Sequence, residues 1–241
     1  MTLRPIRALQ TLAAVACLAV VACAPALFAA ETASSHSNGF KKLFDGTTLD
    51  GWVQRGGKAE YRVEDGMVVG KSVQSTPNSF LCTKETYGDF ILELDFKVDP
   101  VLNSGVQIRS EVYEKDTEVE IGGRKSTRKA GVVFGYQVEI DPSERAWTAG
   151  IYDESRRGWL NDLKDNPMAR AAFKQNDWNH FRIECRDDSI KTWLNGVPAA
   201  DLTDSMTPKG LIALQVHGVG NDESKVGKEV RWKNIRIKVL D

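Results

Sequence analysis

Nine consecutive residues, Phe90-Ile91-Leu92-Glu93-Leu94-Asp95-Phe96-Lys97-Val98, alternate apolar and polar side chains almost without a break. In an extended chain successive side chains point to opposite faces, so Phe90, Leu92, Leu94, Phe96 and Val98 share one side. A helix would scatter the same residues around its circumference. The segment is therefore a strand with one buried face, and it needs a sheet to join. The same rhythm recurs over residues 136–141, 178–186, 189–194, 210–218 and 230–239. Tight-turn pairs punctuate the chain: Asp65-Gly66, Asp187-Asp188 and Asn195-Gly196. A helix signal stands only at Asn166-Pro167, leading into Met168 to Lys174. Roughly ten short strands and one short helix specify an all-β fold, a single antiparallel β-sandwich. A chain of 241 residues suits one such domain.

The N-terminus stands outside that argument. Arg4 and Arg7 precede an apolar run from Ala8 to Ala22, short for a membrane span and followed by small residues. Residues 1–23 are expected to be a signal peptide. Val20-Val21-Ala22-Cys23 resembles a bacterial lipobox, which would leave Cys23 as a lipid-bearing N-terminus. The alternative is ordinary secretion with a cut near Ala26 or Ala30. Either route exports the protein, to the periplasm, to an outer-membrane anchor or outside the cell. Residues 24–38 lack periodicity and are expected to form a tether, leaving 39–241 as the sandwich domain.

Charge narrows the partners. The formal net charge is −1, and losing residues 1–23 takes it to −3. No basic block exists, so nucleic acid is not an expected partner, and a membrane is expected only through the N-terminal lipid. Cys82 and Cys185 remain in the domain; they could pair or stay as buried thiols.

Most polar strand faces carry charged, flexible residues suited to solvent: Glu93/Asp95/Lys97, Arg182/Glu184/Arg186, and Arg231/Lys233 with Arg236/Lys238. Three strands differ, presenting Gln107/Arg109, Gln137/Glu139/Asp141 and Gln215/His217. Amides and a histidine on rigid strands donate and accept at fixed points, as a pocket requires. If these strands share a sheet, their polar faces form one floor. Ser104-Gly105 and Thr148-Ala149-Gly150 flank them, and glycine there could admit a ligand close to backbone. Trp147, Tyr152, Trp159 and Trp178 lie in or beside loops and could stack on a sugar ring.

Seven segments in order carry a family resemblance: Phe40-Lys41-Lys42-Leu43-Phe44-Asp45-Gly46 with Leu49-Asp50-Gly51-Trp52; Ser104-Gly105-Val106-Gln107-Ile108-Arg109; Tyr136-Gln137-Val138-Glu139-Ile140-Asp141; Thr148-Ala149-Gly150-Ile151-Tyr152-Asp153; Trp178-Asn179 with Arg182-Ile183; Trp193-Leu194-Asn195-Gly196; and Leu214-Gln215-Val216-His217. Together they resemble the 3-keto-disaccharide hydrolase domain family, formerly a domain of unknown function. The likeness runs from about residue 40 to the C-terminus. It implies a concanavalin A-like jelly roll and cleavage of glycosides oxidised at C3. The charged stretch 113–130 departs from the family pattern and is expected to be an excursion or edge hairpin.

A 3-keto group acidifies the C2 proton, so a base can start an elimination that expels the C1 substituent. Glu139 or Asp141 is the expected base, Arg109 the partner of the enolate oxygen, and His217 the acid for the departing oxygen. Gln107, Gln137, Gln215, Tyr152, Asp153 and Trp147 are the expected substrate-binding residues. A divalent cation on Glu139, Asp141 and His217 is the alternative electrophile. Two rival readings stay open. One is a non-catalytic carbohydrate-binding module; the other is a conventional glycosidase with a second acid across the cleft from Glu139.

Overall fold

The alternating segments pair as the sequence implies. The computed structural model describes residues 39–121 and 123–241. The expected signal peptide, lipobox with Cys23 and tether fall on residues 1–38, outside the described residues. In chain order the strands are β1 (Lys41–Lys42), β2 (Trp52–Gly56), β3 (Glu60–Glu64), β4 (Met67–Lys71), β5 (Ser79–Thr83) and β6 (Phe90–Val98). Then come β7 (Ser104–Val112), β8 (Thr117–Ile121), β9 (Arg124–Arg128), β10 (Val133–Ile140), β11 (Ile151–Glu154) and β12 (Gly158–Asn161). After helix α1 (Pro167–Ala171), the chain ends in β13 (Asn179–Arg186), β14 (Ser189–Leu194), β15 (Val197–Thr203), β16 (Leu211–Val216) and β17 (Glu229–Val239).

Among the described residues these form two antiparallel sheets and a separate hairpin. One sheet runs β15-β14-β13-β6-β17-β4-β3, with β1 paired to β17; the other runs β12-β11-β10-β7-β16-β5-β2. β8 and β9 pair only with each other, so the 113–130 stretch is an excursion between β7 and β10 that folds as its own hairpin and joins no sheet edge. The fold is thus the all-β sandwich expected. Local chemistry sets its turns: Asp65 and Gly66 both adopt positive φ, as do Asn195 and Gly196. Asn166 caps α1 by accepting a hydrogen bond from Ala169 N, with Pro167 in the first turn.

The inner faces interlock around one core. Phe90, Leu92, Leu94, Phe96 and Val98 of β6 meet Val106 and Ile108 of β7, Tyr136, Val138 and Ile140 of β10, and Ile212, Leu214 and Val216 of β16. Burying each such side chain stabilises the fold by about 1.5–3 kcal/mol. On the outer face of the β6 sheet, Glu93 bridges Arg182 at 3.1 Å and Arg236 at 2.6 Å. These are the solvent faces anticipated from composition. A bulge between Lys233 and Arg236, with Asn234 at positive φ, explains why β17 changes its polar phase there.

Cys82 lies on β5 and Cys185 on β13, in different sheets. Both are free and buried, and burial pushes each thiol up to about 12. Among the described residues no helix is long and apolar enough to cross a membrane.

Candidate active site

β10, β7 and β16 are neighbours in one sheet, so the three unusual polar strands do lie side by side. Register places Gln137 opposite Gln107, and puts Gly105 between Glu139 on one side and Gln215 on the other. Because Val106, Val138 and Leu214 face the core, Gln107, Gln137, Glu139 and Gln215 emerge on the opposite face. They are nonetheless 0–5% exposed. Buried amides seek partners, and here they bond chiefly to one another.

Gln137 is the hub. Its Oε1 accepts from Gln107 Nε2 at 2.8 Å and from Gln215 Nε2 at 2.7 Å. Its Nε2 donates to Glu139 Oε2 at 2.8 Å. Glu139 can only accept when ionised, so the direction of this amide is forced. Glu139 Oε1 accepts from Asn103 Nδ2 at 2.7 Å. On the far side, Gln215 Nε2 reaches Glu154 Oε2 at 3.5 Å, and Glu154 Oε1 accepts from Ser155 Oγ at 3.0 Å. Two carboxylates thus sit at opposite ends of an amide chain. Gln215 Oε1 is buried with no partner among the described residues, a cost of about 1–3 kcal/mol that functional sites tolerate.

A cavity of about 300 Å³ stands over this floor, lined by Asn78, Asn103, Gln137, Glu139, Arg145, Tyr152, Glu154, Trp159 and His217. Burial pushes Glu139 up to about 7, against the opposing pull of its Asn103 and Gln137 hydrogen bonds. Burial also raises Glu154 above the usual carboxylate range. His217 is exposed on one side, yet crowding by surrounding atoms holds its pKa below the usual value. Its Nδ1 lies 2.7 Å from Gly218 O. A carbonyl only accepts, so Nδ1 carries the hydrogen and a neutral ring presents Nε2 as an acceptor. Tyr152 and Trp159 meet edge to face at 5.2 Å and form an aromatic wall.

Several expected site residues lie elsewhere. Arg109 sits at φ +43 in a bulge of β7, which breaks the alternation begun at Gln107. Its side chain leaves the floor and bonds Gly88 O, Asp187 O and Asp89 Oδ1 at the end of the other sheet. Asp141 follows the last residue of β10 and turns into its own loop, accepting from Ser143 N and Oγ, Arg145 Nε and Trp147 N. Burial opposes its ionised form, but Ser143 and Arg145 outweigh that and hold its pKa below the usual carboxylate value. Asp153 pairs with Tyr136 across the strands, shares its inner face, and is bound by Arg156 and Arg157. Trp147 stands behind Trp159, edge to face at 4.8 Å, outside the cavity lining. Trp178 packs under Lys233 on the other sheet. The cation set Glu139, Asp141 and His217 is not assembled, since the Asp141 carboxylate is committed to its loop. Among the described residues no group of three or more His, Cys, Asp or Glu is arranged to hold a metal ion.

Asp141 instead positions a residue that the sequence pattern does not reveal. Arg145 donates to Asp141 and lies over Trp147 at 4.6 Å and Trp159 at 5.1 Å, which points its charge into the cavity. Asn103 and Glu154 join the site without having been expected there. Period two carries both: Asn103 keeps the phase of Gly105 and Gln107, and Glu154 that of Tyr152. Asn78 and Arg145 come from loops and leave no such signal.

Gly105 serves packing, not close approach of a ligand. A Cβ there would lie 2.5 Å from Gln137 Cδ. Gly105→Ala is therefore expected to push Gln137 off its three partners. Melting should report a loss of about 1–3 kcal/mol, as overpacking gives, together with weaker binding in the cavity.

The chain is thus an antiparallel β-sandwich that carries an amide-floored cavity with an aromatic wall on one sheet. Residues 39–238 match the family described as the 3-keto-alpha-glucoside-1,2-lyase-like domain, and the chain belongs to that family. No curated protein matches significantly. Among solved structures, a candidate glycosyl hydrolase from Parabacteroides distasonis ATCC 8503 is 20% identical, with a TM-score of 0.53 over 85% of this chain and 95% of that one. A Bacillus subtilis protein of unknown function with a galectin-like fold gives 0.55 at 11% identity, covering 83% and 97%. The exoplasmic/lumenal domain of VIP36, bound to Ca2+ and Man3GlcNAc, gives 0.50 at 12% identity, covering 85% and 89%. These likenesses establish the fold.

Proposed function

We propose that this protein cleaves 3-keto-glycosides by elimination across C1 and C2, with Glu139 as the base. The observation that carries this reading is Glu139 itself. It is a carboxylate on the cavity floor, held by two amide donors, and titrating at about 7. A base poised near the working pH is half ionised and still strong enough to take a proton activated by a ketone. Family membership supports the substrate class. Glu139 takes the C2 proton; the electron pair is held as an enolate, with Arg145 as the cation lining the site. Re-forming the ketone makes the C1–C2 double bond and breaks the C1–O bond, whose oxygen takes the proton from Glu139. His217, neutral with Nε2 as acceptor, suits a second step: it draws a proton from water as the hydroxide adds at C1, and C2 of the resulting enolate then takes that proton as the ketone re-forms. Its tautomer does not suit the donor role expected from sequence. Lyase product results if that water does not add.

The exported location rests on the leader sequence, and the site belongs to the domain from residue 39 onward. Glu154 favours a second reading, because it supplies the other carboxylate that a conventional glycosidase needs. One assay separates the two. The protein is incubated with methyl 3-keto-α- and β-glucosides and with the unoxidised glucosides, and products are followed by mass spectrometry. Cleavage of the keto substrates alone is expected. Cleavage of plain glucosides would favour the two-carboxylate route, and binding without cleavage would leave a lectin.

A further inference from the structure

The charged hairpin β8–β9 contributes nothing to the amide floor, yet it is seated firmly beside it. Tyr113 Oη and Arg128 Nε both donate to Ser155 O, at 3.3 and 3.2 Å. Tyr113 also stacks on Phe134, with ring centroids 4.0 Å apart. Under the hairpin's second strand lies another cavity, of about 440 Å³. Its walls include Pro77, Phe80, Val132 and Val133, with Arg128 at the rim. Asn78 and Glu154 line this cavity and the polar one alike. They touch each other, Asn78 Nδ2 donating to Glu154 Oε1 at 3.4 Å, so a single pair of side chains forms the border. Gly218, next to His217, belongs to the second cavity and is fixed by its N–H to Asn78 Oδ1 at 2.9 Å.

We infer that this second cavity receives the leaving group, and that it selects a flat, apolar aglycone such as an aryl group. The inference rests on the reading of the polar cavity given above. Amides and carboxylates complement the hydroxyls of a sugar ring, whereas Phe80, Pro77, Val132 and Val133 offer nothing to a hydroxyl and much to a ring face. The chemistry agrees. His217 presents only an acceptor, so the carboxyl of Glu139 is the sole acid for the departing oxygen; a phenol, ionising near 10 as a tyrosine does, needs that proton less and leaves more readily than an alkanol. Nε of Arg128 is spent on Ser155, so only its terminal nitrogens could meet a polar substituent on the occupant.

The test compares phenyl and methyl 3-keto-glucosides on the whole chain and on Val132→Trp, which fills the cavity from its wall. In the native protein kcat/KM should favour phenyl by about tenfold or more, the scale of one apolar pocket. Val132→Trp should remove most of that advantage and leave the methyl substrate unchanged. Equal rates on both substrates in the native protein, or an equal loss on both in the variant, would overturn the inference while leaving the elimination intact. If neither substrate turns over, the reading of the polar cavity fails instead. Binding of unoxidised phenyl and methyl glucosides, followed by ligand-detected NMR, then decides on the second cavity. A phenyl preference abolished by Val132→Trp supports it, and none refutes it. Melting temperature checks that Val132→Trp folds, and Thr127→Trp fills the same cavity from the hairpin should it not.

Discussion

Glu139→Gln lowers kcat/KM on a 3-keto-glucoside by about 10³-fold, within the range that one positioned base contributes, and leaves the protein folded. The replacement keeps the shape of the side chain. Its oxygen can still accept from Gln137 Nε2, which cannot turn because its other end already receives two donors. Its new amide must then face Asn103, which has only to rotate its own amide to present an oxygen. The floor survives, and the variant removes the base alone. Activity of the native protein should rise with pH through about 7 as Glu139 ionises. A profile that falls through the same region would make Glu139 an acid. Full turnover in the folded variant would take it out of the chemistry.

Stability moves the other way, and the sign follows from linkage. Glu139 has an ordinary value of 4.5 and about 7 in the folded protein. Between those values the unfolded chain gives up its proton while the folded chain keeps it, so raising the pH favours unfolding. The stabilisation is complete below 4.5 and lost by the time pH passes 7. At most it amounts to about 3 kcal/mol, because each tenfold difference in proton affinity between folded and unfolded chain contributes roughly 1.4 kcal/mol. Glu139→Gln does not titrate. Denaturant melts from pH 4 to 8 should show the variant gaining on the native protein across this interval and then holding level.

Period two revealed the inner faces of β6, β10 and β16 because it is a geometric property of any extended chain, and it needs no knowledge of neighbours. It also revealed that Gln107, Gln137, Glu139 and Gln215 share a phase. What it could not show was where the alternation stops. Asp141 lies one residue beyond β10, where the next side chain in phase belongs to a loop. Asp153 adjoins Tyr152 in the sequence, but consecutive strand residues face opposite ways, and Glu154 is the residue in phase with the cavity. Arg145 reaches the cavity through a turn closed by Asp141, a tertiary arrangement with no period. His217 follows the last residue of β16 and still reaches the site, but the carbonyl that fixes its tautomer belongs to the next residue's backbone. That contact reverses the proton role expected from residue type alone.

Arg109→Met destabilises the protein by about 3–5 kcal/mol, the cost of breaking a buried pair, and leaves kcat at its native value wherever the variant is folded. Arg109 looked catalytic because it stands two positions after Gln107, in the same strand phase. The bulge that places Leu211 opposite Ser110 and Ala213 opposite Gln107 inserts an extra residue, and Arg109 is swung to the other side in left-handed backbone. A non-glycine residue there costs roughly 1–2 kcal/mol, so something must hold it. Three hydrogen bonds of 2.7–2.8 Å do, reaching from one sheet to the start of β6 and the β13–β14 turn in the other. Asp89 completes the staple by accepting Asp187 N through its other oxygen. Gly210 closes over the bulge, where a Cβ would lie 2.4 Å from the Arg109 carbonyl carbon. Methionine fills similar volume but leaves Gly88 O and Asp187 O without their donors and Asp89 without its cation. Arg109→Lys keeps the charge, cannot fork, and should fall between the two. Chemical denaturation measures the loss, and steady-state kinetics below the melting transition tests the rest. A fall of kcat by about 10²-fold or more in folded Arg109→Met, the least that a group acting in the transition state contributes, would return Arg109 to the reaction and overturn its role as a clamp between the sheets.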